Sequence, residues 1–459
     1  MLFNSQPFIL LFLPCVLAAY YALARSRPWR QGLLVAASLV FYGGWDLRFV
    51  PFLVALTLLN WLVVQAYARW RRDAWLLAGV AGNLLVLGVC KYANFFGDNL
   101  AALLGTRAPS WDIVLPLGIS FFTFGKISYL VDLRRGTDRH IYGLLDFATF
   151  VAFFPQLIAG PLVRPHEIIG QFALDPRRSA MWENLSRGAV LFTIGLAKKA
   201  GVADTVALVC DPVYARVAAG AHPSLAEAWA AAGTYTLQIY FDFSGYSDMA
   251  IGLALLFGLR LPLNFAAPYR ATSIRVFWRR WHITLSRFLR DYVYIPLGGN
   301  RAGPGRQAAN VVLTMLLGGL WHGAAWTFVA WGGLHGLALA ANNAWNRAGL
   351  RMHAVPGWAL TVLFVLGTWV LFRSPDFVTA ARMFAGLYGA NGVGRIHVDN
   401  AVLVAGAVLV VLLAPTSQAI ALERLRPVPW LMVPAGVALV FLLLLVGGRV
   451  PNEFIYFQF

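Results

Sequence analysis

Apolar runs of about twenty residues recur along the chain from residue 7 to residue 449, separated by short polar stretches rich in arginine. In helical conformation such a run covers the ~30 Å hydrocarbon layer of a bilayer. The pattern therefore predicts roughly ten to thirteen helices, some of them re-entrant. Residues 1–92 and 357–449 read as plain hydrophobic spans, whereas residues 112–347 carry most of the polar residues that such spans do not need. One all-α polytopic membrane domain over residues 1–459 is expected, with its chemistry at about 112–347. No tandem repeat, low-complexity linker or long polar stretch marks a second domain.

The longest interruption of the apolar pattern runs from about residue 259 to 308. Within it Ile274, Phe277, Trp278, Trp281, Leu285, Phe288 and Leu289 fall at helical spacing with arginines between them. This predicts an Arg/Trp-rich amphipathic helix over about 272–292, lying at the headgroup level. The same arginines suit contact with a phosphorylated or acidic donor, because both uses demand the same pattern.

A composition of 59% hydrophobic and 12% charged residues excludes a soluble globular protein. The formal net charge of +17 would point to nucleic acid in a soluble chain. In a membrane chain it first reports orientation, because cytoplasmic loops collect Lys and Arg. Arg25, Arg27 and Arg30 follow the first span, Arg69, Arg71 and Arg72 the third, and Arg134, Arg135 and Arg139 the fifth. This alternation predicts an N-terminus outside, with the loops at 44–48 and 95–111 on the outer side. The first apolar run has no basic segment before it and no small-residue cleavage site after it, so an uncleaved transmembrane helix is expected. Cys15, Cys90 and Cys210 all lie in apolar segments and read as membrane-embedded thiols.

Ionisable residues inside apolar spans mark candidate sites. His322 stands in GGLWHGAAW, about 22 Å along a helix starting near Gln307 at ~1.5 Å per residue. Gly318, Gly319 and Gly323 allow close backbone approach there, and Trp321, Trp326 and Trp331 supply walls. His322 reads either as a functional base or as a histidine bonded across a helix interface. His282, between the Arg/Trp segment and the YIPLGGN turn, is expected at the rim of the same cavity, as a proton relay or as a structural residue. Gln238, Asp242 and Tyr246 form one polar stripe at i,i+4 spacing, with Asp248 elsewhere around the helix. Asp242 is expected to pair with an arginine, orient a histidine, or form a structural ion pair. His335, Lys198 and Lys199 read as packing or snorkelling residues. Candidate substrate or tunnel residues are thus Trp281, Trp321, Asp242, Arg279, Arg280 and Asn300.

The chain has no HExxH or CxxC spacing, P-loop or dinucleotide fingerprint, so no bound metal or cofactor is expected. A buried base with no serine elbow or reactive cysteine nearby suits direct proton abstraction from an attacking hydroxyl. Acyl transfer from a thioester fits that chemistry if the acceptor oxygen is held close to the carbonyl.

The stretches PLGISFFTFGKISYLVDLRRG, FVAFFPQLIAGPLVRP, YFDFSGYSDMAIGLALLFGLRLPLNF, FWRRWHITLSRFLRDYVYIPLGGNR and LLGGLWHGAAWTFVAWGGLHG, with the terminal FIYFQF, resemble the membrane-bound O-acyltransferases. Within that family they are most similar to the membrane subunits of alginate O-acetyltransferases. The resemblance implies that His322 is the general base and His282 a supporting histidine. It implies a ring of helices around a thinned centre, where a tunnel lets a cytoplasmic thioester, acetyl-CoA, serve an acceptor outside. It further implies a bacterial inner-membrane location, an exported polysaccharide acceptor and a periplasmic SGNH-type acetyltransferase partner. A compact region between residues 373 and 400 departs from the alginate enzymes. It leaves open cellulose, peptidoglycan or another glycan as acceptor, and a D-alanyl donor on a carrier protein. Two other classes compete. A proton-coupled transporter or exporter would use the same intramembrane polar residues, and a scaffold recruiting a soluble acetyltransferase would not need His322.

Overall fold

The computed structural model describes residues 1–107, 111–395, 401–426, 432–448 and 454–455. The expected loop at 95–111 is instead helical as far as Leu104, because the Asp73–Leu104 helix runs on through it, and its residues 108–110, the last apolar span in part and most of the terminal FIYFQF lie outside the described residues. Helices joined by turns make up the described chain, with no strand among them. Three of these helices, Leu47–Trp70, Asp73–Leu104 and Ala354–Arg373, are long and apolar enough to cross a membrane. Shorter apolar helices lie at Phe8–Ala22, Phe377–Leu387, Ala401–Leu413 and Val433–Gly447. Leu62, Leu85, Phe96 and Leu103 are exposed, as side chains facing lipid would be.

By its contacts the chain divides into two compact units. The first comprises Met1–Leu196, Tyr246–Leu263 and Ser417–Glu453. In it the Val50–Trp70 and Asp73–Leu104 helices meet across a buried amide pair. Asn83 Nδ2 donates to Asn60 Oδ1 at 2.6 Å, and Asn60 Nδ2 returns a bond of 3.3 Å. Each amide also donates to the carbonyl one turn back, so neither is left with an unmet donor between apolar helices. Gly105, at φ +64°, ends the second of these helices in the left-handed region. Asp248 accepts from Ser417 Oγ at 2.5 Å and from Gln418 Nε2. That carboxylate is satisfied within this unit.

The second unit comprises Ala197–Gly245, Asn264–Thr416 and Phe454–Phe459. Its frame is the pair of helices Gly303–His322 and Trp326–Arg347, which touch backbone to backbone. A Cβ on Gly319 would lie 2.2 Å from the Phe328 carbonyl oxygen, and one on Gly332 2.2 Å from that of Met315. Only glycine permits this approach. The helix carrying His322 starts at Gly303, four residues earlier than expected, so the histidine ends a rod of about 28 Å.

The expected continuous helix over 272–292 is instead two short helices, Ile274–Trp278 and Ile283–Leu289, followed by a π-helical turn at Arg290–Tyr294. Between them His282 adopts φ +42°, a left-handed conformation unusual for a non-glycine residue. The apolar pattern was nevertheless a true guide to the inside face. Phe277, Trp278, Trp281, Leu285, Phe288 and Leu289 are buried, while Arg275, Arg279 and Arg290 are exposed.

Candidate active site

The break before Ile283 is held by one side chain. Asn264 Oδ1 accepts from Thr284 N at 3.3 Å, from Thr284 Oγ1 at 2.9 Å and from His282 Nδ1 at 3.1 Å, while the Asn264 carbonyl accepts from Ile283 N at 2.9 Å. The Thr284 amide can only donate, so the atom it meets on Asn264 is the oxygen. His282 therefore carries its proton on Nδ1 and presents Nε2 as an acceptor. The ring is fully buried, edge-to-face with Phe243 at 4.6 Å.

His322 is the last residue of its helix. Gly323 follows in extended conformation, with φ −166° and ψ 155°. A Cβ there would fall 2.2 Å from Phe328 Cε2, so the glycine after the histidine is where the Phe328 ring fits. His322 is buried in an aromatic cage. Its ring centroid lies 4.8 Å from Trp321, 5.1 Å from Trp331 and 5.2 Å from Phe372. Trp321 also lies 6.0 Å from His282, so one indole stands between the two histidines.

Trp281 belongs to the same aromatic body at one remove. It packs on Trp369 at 5.0 Å, and Trp369 stacks on Trp331 at 5.7 Å. His335 is buried with both nitrogens engaged. Trp278 Nε1 donates to Nδ1 at 3.2 Å, and Nε2 donates to Thr368 Oγ1 at 3.0 Å, whose own proton goes to the Val365 carbonyl. This is a neutral packing histidine, as the sequence suggests.

Asp242 reaches neither histidine by hydrogen bond. Its Oδ1 pairs with Lys199 Nζ at 2.6 Å, and its Oδ2 accepts from Ile455 N at 2.9 Å. Lys199 also pairs with Asp204 at 2.8 Å. Of the alternatives open for Asp242, the geometry is that of an ion pair, with a lysine rather than an arginine. Lys199, read from sequence as a packing or snorkelling residue, is a buried partner of two carboxylates. It sits in a π-helical segment, Ala197–Ala203, that breaks the regular helical register. Asp242 is linked to the site through its neighbour Phe243, which touches His282 on one side and Phe454 at 5.5 Å on the other.

Arg279 is exposed and Arg280 half-buried, and neither side chain makes an ion pair with a described residue. Asn300 is exposed in the turn before Gly303. None of these three is held against the histidines. Asn264, within the LPLNF stretch, was not singled out from the sequence. Its signal was an amide at the end of a long apolar segment.

The site is thus a caged imidazole behind a glycine-locked turn on a multi-pass membrane scaffold. Residues 52–374 match the model of the MBOAT, membrane-bound O-acyltransferase, family, and the chain belongs to that family. It is an O-acyltransferase. It is 44% identical over 402 residues to the "Probable alginate O-acetylase AlgI" of Pseudomonas putida, covering 84% of this chain and 80% of that protein. It is 38% identical over 435 residues to the peptidoglycan O-acetyltransferase of Helicobacter pylori, covering 87% and 82%. A more distant relative is the teichoic acid D-alanyltransferase of Streptococcus thermophilus, 29% identical over 243 residues, with 50% and 57% covered.

Proposed function

We propose that this chain takes an acetyl group from a cytoplasmic thioester, acetyl-CoA, and moves it across the bacterial inner membrane for O-acetylation of an exported polysaccharide, alginate or a similar glycan. The observation that carries this reading is the caged His322, whose ring meets Trp321, Trp331 and Phe372. Imidazole is the side chain best suited to take a proton from an attacking hydroxyl near neutral pH.

In this reading His322 removes the proton from the attacking hydroxyl as its oxygen closes on the thioester carbonyl. His282, fixed by Asn264, supports the site across Trp321. Trp281 and Trp321 wall the reaction from water. Arg279 and Arg280, which have no ion pair with a described residue, are available to the phosphates of the donor. Asp242 shapes the site through Phe243, and Asn300 lies in the turn before the His322 helix. An SGNH-type acetyltransferase in the periplasm completes delivery, and the N-terminus lies outside.

Thiol release from acetyl-CoA by the purified protein in lipid tests the reading. Wild type releases thiol and His322→Ala does not; release by both overturns it. A D-alanyl donor on a carrier protein is the second reading, favoured by the likeness to the Streptococcus thermophilus protein. Turnover with a D-alanyl carrier thioester, and none with acetyl-CoA, would select it.

A further inference from the structure

The acyltransferase reading needs a group to hold the negative charge that forms on the thioester oxygen, and the Trp326–Arg347 helix carries two donors with no other use. The Nε1–H of Trp331 and the hydroxyl of Thr327 are both enclosed and make no hydrogen bond with a described residue. Trp331 is 1% exposed and Thr327 2%. Buried donors are nearly always paired, so two unpaired ones in one stripe call for an explanation. They stand one helical turn apart, at i and i+4, and so share a face of the helix. Trp331 meets His322 edge-to-face at 5.1 Å and 87°. His335, 4.7 Å from Trp331, has both nitrogens engaged by Trp278 and Thr368 and so offers Trp331 no acceptor.

We infer that Trp331 and Thr327 form the oxyanion hole of this enzyme. The inference rests on the acyltransferase reading above. As the acceptor oxygen bonds to the carbonyl carbon, its proton passes to His322. The carbonyl π pair moves onto oxygen, where the Trp331 N–H and Thr327 O–H donate to it. The pair then returns, the C–S bond breaks, and the departing sulfur takes the proton back from His322. The products are an ester and a free thiol, with no change of oxidation state. Donors placed for charge that exists only in the transition state act on kcat rather than on substrate affinity.

The test uses the full-length protein in lipid, with acetyl-CoA as probe and thiol release as readout. Trp331→Phe keeps an aromatic ring and removes the donor; Thr327→Val keeps the shape and removes the hydroxyl; Thr327→Ser restores it. Each of the first two variants lowers kcat by about 10²-fold with KM unmoved, and Thr327→Ser keeps most of kcat. Should Trp331→Phe fail to insert, the Val and Ser pair at 327 decides alone. Wild-type kcat in well-folded Trp331→Phe and Thr327→Val overturns the oxyanion assignment and leaves the acyltransferase reading standing. No thiol release by wild type overturns the acetyl-donor reading, and this inference falls with it.

Discussion

His282 is bound to Asn264, eighteen residues earlier in the chain, by a 3.1 Å hydrogen bond from its Nδ1 to the amide oxygen. The same oxygen caps the helix that follows the histidine, so one side chain sets the backbone turn, the ring orientation and the tautomer together. Groups that orient a functional histidine in this way are tested by removing the orienter and leaving the ring in place.

Asn264→Leu should therefore resemble His282→Ala. Both are expected to lose turnover in part, by about tenfold, because the base itself remains. Thiol release under saturating acetyl-CoA checks this. Full activity in Asn264→Leu with the protein correctly inserted would remove the link between the cap and the chemistry.

Lys199 pairs with the buried Asp242 and the half-buried Asp204, so its loss removes an ammonium from both carboxylates. Lys199→Met is expected to destabilise the protein by about 3–5 kcal/mol, the range for breaking one side of a buried ion pair. Thermal unfolding in detergent measures it, with the double variant Lys199→Met/Asp242→Leu recovering part of the loss. A melting temperature equal to that of wild type in the single variant would show the pair to be energetically idle.

The glycines of the His322 helix differ in what surrounds them. An added methyl at Gly318 meets only the end of the Leu289 side chain, 3.1 Å away, which can rotate. At Gly319 it meets a backbone oxygen at 2.2 Å, which cannot move without parting the helices. Gly319→Ala should cost about 1–3 kcal/mol or more, and Gly318→Ala distinctly less. Equal stabilities would contradict the helix contact.

Much of the site was legible because a histidine in an apolar span has few cheap explanations. His322 and His282 stood out for that reason, and the buried face of the 272–292 segment followed from periodicity. The break within that segment was not legible. It depends on Asn264 arriving from a distant turn, and spacing alone cannot show a capping group from elsewhere. The ion pairs of Lys199 were not legible for the same reason, since only the fold brings Asp242 and Asp204 to it. Asn300 lies close to both histidine motifs in sequence, and its turn leaves it exposed.

The central claim is that His322 is the base. The most direct measurement is the turnover of His322→Gln, which keeps a polar side chain of similar reach, compared with wild type in lipid at saturating acetyl-CoA. Removal of general-base catalysis predicts a fall of about 10²–10⁴-fold with insertion and stability preserved. Turnover at the wild-type rate in a correctly inserted His322→Gln would contradict the account.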